Sequence, residues 1–501
     1  MGGGLVQLAG YGLQDMYLTY KPTITYFKMV YKRHTNFSSE SIPQFFQNNP
    51  NFNGRYTCNI AKNGDLMGQI YLCVTLPNIP KIIDTSFINQ DIDLKNIAVT
   101  SWIDKIGFGL INSIEFEVGG QVIDKLYGDW LNIWYELTQR FNKRALDTMI
   151  GNIPQLKTYQ NGHGSYLLHI PIPFYFCKYK GLALPLIALE YSDVKINVEF
   201  NNLNNLLVVG PSNYIKIQEN VVNYQVNEMI YQLVGNNYVY GKFIKYDENT
   251  QRLYYIKLNN STSFITGYPI VGADSKYSVN PNSSSMEVNY RSKINSVFNL
   301  DNITLGSTFL YVDYIFLDNN ERLKFAKSNH EYLIEHLQFD NEKILINNNN
   351  KINISYNHPT KALYFVTQYD SIANSNLNDL FNYTNNVQKD KGINIINNVQ
   401  ILLNGKDRIT SRPSQYYSWI QNYQGFSNAA SEGINVYSFS INNEQYQPSG
   451  SCNFSRIDDI TLVLTVDKSV SYNNPALARI YALSYNVLRI INGVAGLAFD
   501  S

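Results

Sequence analysis

Three segments of this sequence occur twice, in the same order. Residues 114–124 (IEFEVGGQVID) read as an alternating strand, a two-residue turn and a second strand, and residues 399–409 (VQILLNGKDRI) read the same way. Residues 192–200 (SDVKINVEF) are matched by 458–466 (DDITLVLTV), and residues 309–317 by 479–488. Each hairpin is followed by an aromatic segment containing tryptophan: Trp130 and Trp134 in the first copy, Trp419 in the second. Like parts in like order predict two tandem domains of one β fold. Two copies are too few for a solenoid, so each should own a core. The first domain should end near Asp318 and the second begin near Tyr332.

Period-two alternation dominates. Ile114, Phe116 and Val118 fall on one face, Ser113, Glu115 and Glu117 on the other. Residues 194–200 alternate in the same way, and 461–466 read as a more buried strand. Helical spacing is rare. Trp130, Ile133, Trp134 and Leu137 form a stripe that suits a core-facing helix better than a ligand platform, and a second short helix is expected over 320–326. Between Phe200 and Phe309 the first copy carries a long insertion. Residues 224–259 are rich in Tyr, Val and Ile and should add strands, while 259–282 read as surface loop. The four asparagines at 347–350 read as a solvated turn.

Charge excludes several classes. Lys+Arg and Asp+Glu both number 40, so the 501-residue chain carries no net charge and no cationic footprint for nucleic acid. Charged residues are only 16%, against a typical ~25%. Near-neutrality suits packing against many copies of itself. Aromatics reach 14%, with 40 Tyr, which favours sheets and protein interfaces. The N-terminus lacks the pattern of a signal peptide, and Val6 stands where myristoylation wants Ser or Thr. The most apolar stretch, 181–189, is about half a membrane span. Cys58, Cys73, Cys177 and Cys452 form no CxxC pair and are expected as reduced core thiols.

A search for chemistry finds little. There is no P-loop, dinucleotide fingerprint, HExxH or nucleophile elbow. His330 and His336 lie six apart, and Asp458 with Asp459 would point to opposite faces of a strand. No catalytic, cofactor or metal residue is assigned. Among the Asn-x-Ser/Thr sequons, Asn260 and Asn282 are the loop candidates for glycosylation.

Further segments carry a resemblance. They are GGGLVQLAGYGLQD at 2–15, the stretches 17–28 and 31–37, Gly128-Asp129-Trp130, the run 181–189, VDYIFLD at 312–318, HEYLIE at 330–335, GINVYSF at 433–439, QPSGSCNFSRID at 447–458 and YNVLRI at 485–490. With these, the chain resembles the major capsid proteins of nucleocytoplasmic large double-stranded DNA viruses from end to end, the insertion at about 201–307 being the clearest gap.

The resemblance implies an all-β fold of two tandem antiparallel jelly rolls of roughly eight strands each, with a few short helices in loops. It implies an N-terminal arm at 1–25, a first jelly roll at 26–318, a linker with a short helix at 319–331 and a second jelly roll at 332–501. Function would be structural and not enzymatic: homotrimeric, pseudo-hexagonal capsomers tiling an icosahedral shell. Partners would be neighbouring capsomers and minor capsid and penton proteins, with an internal membrane nearby but not entered. The place would be the virion, assembled in the host cytoplasm. The arm's candidate assembly residues are Gly2, Gly3, Gly4, Leu5, Gln14 and Asp15, in a segment expected to have irregular backbone. Two other readings fit the β pattern: a divergent or minor capsid paralogue, and a jelly-roll carbohydrate-binding module.

Overall fold

The structure, a computed structural model, describes residues 3–81, 97–138, 143–219, 221–258, 262–288 and 300–499. Its strands in chain order begin with β1 (Phe37–Phe45), β2 (Arg55–Ile60), β3 (Leu66–Leu76), β4 (Val99–Trp102), β5 (Ile111–Val118), β6 (Gln121–Tyr127), β7 (Tyr166–Pro171) and β8 (Val194–Phe200). The insertion follows with β9 (Leu207–Gly210), β10 (Asn213–Lys216), β11 (Met229–Val234), β12 (Asn237–Asp247), β13 (Arg252–Lys257), β14 (Ile270–Gly272), β15 (Ser278–Val279) and β16 (Met286–Glu287). Next come β17 (Thr308–Leu317), β18 (His330–Phe339), β19 (Lys343–Leu345), β20 (Asn349–Asn353), β21 (Pro359–Tyr369) and β22 (Ile396–Leu403). The chain closes with β23 (Lys406–Pro413), β24 (Asn435–Ser438), β25 (Cys452–Asn453), β26 (Ile460–Val466), β27 (Ala476–Ile491) and β28 (Val494–Leu497).

The sheets repeat as the sequence does. The first sandwich pairs the sheet β1-β17-β3-β7 with β2-β8-β5-β6. The second pairs β18-β27-β21-β24 with β20-β26-β22-β23, with β19, β25 and β28 added at the margins. The strand order is the same in both, and it is that of a jelly roll. The duplicated hairpins agree in detail. Gly119 and Gly120 have φ of 58° and 88°, and Asn404 and Gly405 have 48° and 72°, as a two-residue turn with both residues left-handed requires. In each hairpin the register slips at the third residue past the turn, so that Phe116 faces Asp124 and Ile401 faces Ile409.

Inward-facing residues of each roll make a core. Leu72, Val74, Leu310, Val312, Ile114 and Phe116 fill the first, while Leu363, Phe365, Val399, Ile401, Leu462 and Ile480 fill the second. Cys58 and Cys73 sit on opposite sheets of the first roll, fully buried, and all four cysteines are free. The expected tryptophan stripe lies on the helix Gly128–Thr138, with Trp130, Ile133 and Leu137 buried. The second expected helix is Asn319–Lys327, between β17 and β18.

The insertion corrects one expectation. Its described part forms a seven-stranded sheet, β15-β14-β11-β12-β13-β10-β16. This has its own core of Ile230, Tyr255, Phe264, Ile270 and Val279. Residues 262–282, expected to be surface loop, therefore contribute β14, β15 and three fully buried apolar side chains. Scattered single hydrophobes among Ser, Asn and Gly carry too little periodicity to show that. The asparagine tract is corrected as well, because Asn349 and Asn350 open β20 opposite Thr465 and Leu464.

Candidate assembly surfaces

The two rolls are joined by a buried seam. The helix Gly128–Thr138 of the first roll lies on the outer face of the sheet β18-β27-β21-β24. Trp130 sets its ring edge-on to Tyr364 at 4.8 Å and lies 5.6 Å from Tyr481. One residue earlier, Asp129 accepts hydrogen bonds from the hydroxyls of Tyr383 and, at 3.0 Å, Tyr481, with the Arg479 guanidinium at 3.6 Å. Tyr383 also accepts from Asn132 at 3.1 Å. Outer-face residues Ala362, Tyr364, Tyr481 and Leu483 thus belong to the first roll's apolar cluster.

Charge is buried in this seam. Asp124 on β6 accepts from the backbone N–H of Leu337 on β18 at 2.9 Å. Burial pushes its carboxyl up to about 7, against smaller opposing effects from backbone N–H groups and Lys178. Glu335 on β18 takes two ammonium groups: Lys361 of β21 at 2.6 Å and Lys178 of the first roll at 3.4 Å. The Lys361 side chain is 0% exposed and also donates to the Gln445 carbonyl at 2.9 Å. Burial lowers its pKa, and Glu335 works against that. Lys178 in turn lies 4.2 Å over the Trp134 ring. The C-terminal strand ties the rolls again: Leu497 N–H donates to Gln121 Oε1 and Ala495 N–H to Ser192 Oγ, both at 3.1 Å. None of these seam carboxylates and lysines was singled out from sequence. The readable sign was a charge inside an apolar strand, as Lys361 is inside β21.

The arm contrasts with this seam. Among its described residues, Gly3–Ala9 and Met16–Thr19 are helical, where irregular backbone was expected, and neither helix buries a residue. Leu13, Tyr17 and Leu18 are more than four-fifths exposed, as are Phe27 and Met29 just beyond the arm. Helices this short are marginal by themselves in water. Of the candidate arm residues, Gly3 and Gly4 have nothing within 4 Å of a built Cβ. Leu5 and Gln14 are exposed, and Asp15 accepts from the Gly12 N–H at 2.8 Å. Gly2 lies outside the described residues. The structure does not bring these side chains to any common site. Of the glycosylation candidates, Asn282 is exposed beside β10, its N–H donating to the Lys216 carbonyl; Asn260 lies outside the described residues.

Among the described residues, no group of three or more His, Cys, Asp or Glu is placed to hold a metal ion, and no helix is long and apolar enough to cross a membrane. His336 does meet His358, ring to ring at 5.1 Å, but inside the second roll.

Two rolls fixed side by side, with an exposed arm, define a double jelly-roll protein. The family description "Major capsid protein N-terminus" matches residues 25–241, and "Large eukaryotic DNA virus major capsid protein" matches residues 321–496. The chain is 38% identical to probable capsid protein 4 of Acanthamoeba polyphaga mimivirus and 33% identical to the major capsid protein of Pyramimonas orientalis virus, over 100% of each chain in both cases. Its fold matches the crystal structure of PBCV-1 VP54 with a TM-score of 0.63 at 25% identity, covering 95% of this chain and 100% of that one. The chain belongs to the major capsid protein family of large eukaryotic DNA viruses. That family is structural, and the protein is not an enzyme.

Proposed function

We propose that the chain forms homotrimers, that each trimer presents six jelly rolls as a pseudo-hexagonal capsomer, and that capsomers tile an icosahedral shell assembled in the host cytoplasm. The observation that carries this reading is the duplicated strand order with the two copies locked side by side. One chain then supplies two near-equivalent building blocks, and head-to-tail repetition of such blocks closes into a ring. In this reading the arm is residues 1–25, the rolls are 26–318 and 332–501, and the helix Asn319–Lys327 lies in the linker at 319–331. The arm, with Gly2, Gly3, Gly4, Leu5, Gln14 and Asp15, contacts neighbouring capsomers or minor capsid and penton proteins above an internal membrane. Asn282, exposed on the insertion, is a place for a glycan, as is the sequon at Asn260. Electron microscopy of concentrated protein tests this reading: hexagonal arrays are expected, and particles without threefold outline would count against it.

Deleting residues 2–15 separates the two levels of assembly. Because neither arm helix buries a residue, the truncated protein should stay soluble with an unchanged far-UV spectrum and still trimerise. Array and shell formation should fail. Loss of trimers, read by sedimentation, would refute this division of labour.

A further inference from the structure

The duplicated fold leaves one half of its own internal interface unmatched. In the second roll, the outer face of β18-β27-β21-β24 is covered by β6 and the tryptophan helix of the first. In the first roll, no comparable helix lies over the corresponding face of β1-β17-β3-β7 among the described residues. There, Phe37, Phe45 and Leu167 are 57%, 69% and 41% exposed, with Phe309, Tyr311 and Tyr71 half-buried among them. Registers make the correspondence specific. Tyr364 pairs with Tyr481 under Trp130, and Tyr71 pairs with Tyr311 at the same place in the first roll.

The covering half is duplicated too, and it also lies bare. β6 is buried or half-buried at all positions but Val122 and meets the second roll through Asp124 and Tyr127, but its counterpart β23 is exposed at every position except Ile409. After β23, where the first roll has the Trp130 helix, the chain turns through Tyr416–Ile420 and Gln421–Gly425. Trp419, Ile420 and Tyr423 there are 60%, 46% and 89% exposed. An exposed aromatic cluster of this kind marks an interaction site. The charges suit the match. β23 carries Lys406, Arg408 and Arg412 against one acid, Asp407, and the bare face of the first roll presents Asp313 next to Tyr311.

We infer that β23 and Trp419 of one copy dock on the outer face of the first roll of the next copy, with Trp419 on the Tyr71–Tyr311 pair. The contact between chains then repeats the contact within a chain, with Trp419 playing the part of Trp130. It is more polar than its model, since Arg408 and Arg412 replace Ile123 and Tyr127. This suits subunits that must meet after folding separately. The inference rests on the trimer reading and assigns its surfaces.

The test is the solution mass of Trp419→Asp beside wild type, Trp419→Phe and a chain lacking residues 2–31, together with a paired-cysteine variant, Trp419→Cys with Tyr71→Cys. Trp419→Asp should lower the mass threefold with an unchanged circular dichroism spectrum, and Trp419→Phe should restore the wild-type mass. Mild oxidation of the paired variant should join chains into a covalent species that neither single variant gives. A Trp419→Asp protein that remains trimeric overturns the docking while leaving the trimer intact. So does loss of trimers on removal of residues 2–31 alone, since the arm would then be what covers the face. A wild-type monomer would instead remove the trimer reading itself.

Discussion

Lys361→Met is expected to destabilise the folded protein by about 3–5 kcal/mol, the range for stripping one partner from a buried ion pair. Lys361 is wholly enclosed, and its ammonium is the closer of the two that neutralise Glu335. Without it, a carboxylate 2% exposed keeps only Lys178, at 3.4 Å. The value should fall at the low end of the range because Lys178 remains. The double variant Glu335→Gln/Lys361→Met should recover most of the loss, because a neutral pair of similar volume leaves no uncompensated carboxylate buried. Urea unfolding of the single and double variants gives the coupling directly. Equal losses in the two would mean that Lys361 contributes by packing alone.

Asp124→Asn should change how stability depends on pH. Burial raises the folded carboxyl from 3.8 to about 7. The folded state therefore holds a proton that the unfolded chain gives up near pH 4. The group's contribution is fully present below the unfolded pKa and is lost as pH rises through about 7. His336 acts in the opposite direction. Burial, aided by His358, lowers its imidazole to about 3, so its contribution is present above 6.5 and lost as pH falls below that. The two partly cancel in wild type, and the difference between wild type and Asp124→Asn isolates the carboxyl. That difference should shift by about 2–3 kcal/mol in favour of the variant between pH 5 and pH 8, at about 1.4 kcal/mol per unit. Parallel stability curves would show that Asp124 is ionised throughout.

The duplicated fold was legible because its signals are local. Alternation in 114–118, Gly119-Gly120 and Asn404-Gly405 each specify a hairpin within a few residues, and each hairpin formed. The Trp130 stripe identified its helix, but not that the ring lies against Tyr364 and Tyr481, more than two hundred positions away. The seam was illegible for the same reason. Asp124, Glu335, Lys361 and Lys178 become a site only when two sandwiches meet, and no spacing rule joins them. The core of 262–282 was hidden because Phe264, Ile270 and Val279 arrive singly, the first outside any strand and the other two on strands too short to show a pattern. The arm's exposure, with its row of apolar side chains, became visible only in the fold.

The most direct test of the central claim is the mass of the purified wild-type protein by multi-angle light scattering. The account predicts a stable species of three times the 57.4 kDa chain mass. A well-behaved single chain across a wide concentration range would contradict it.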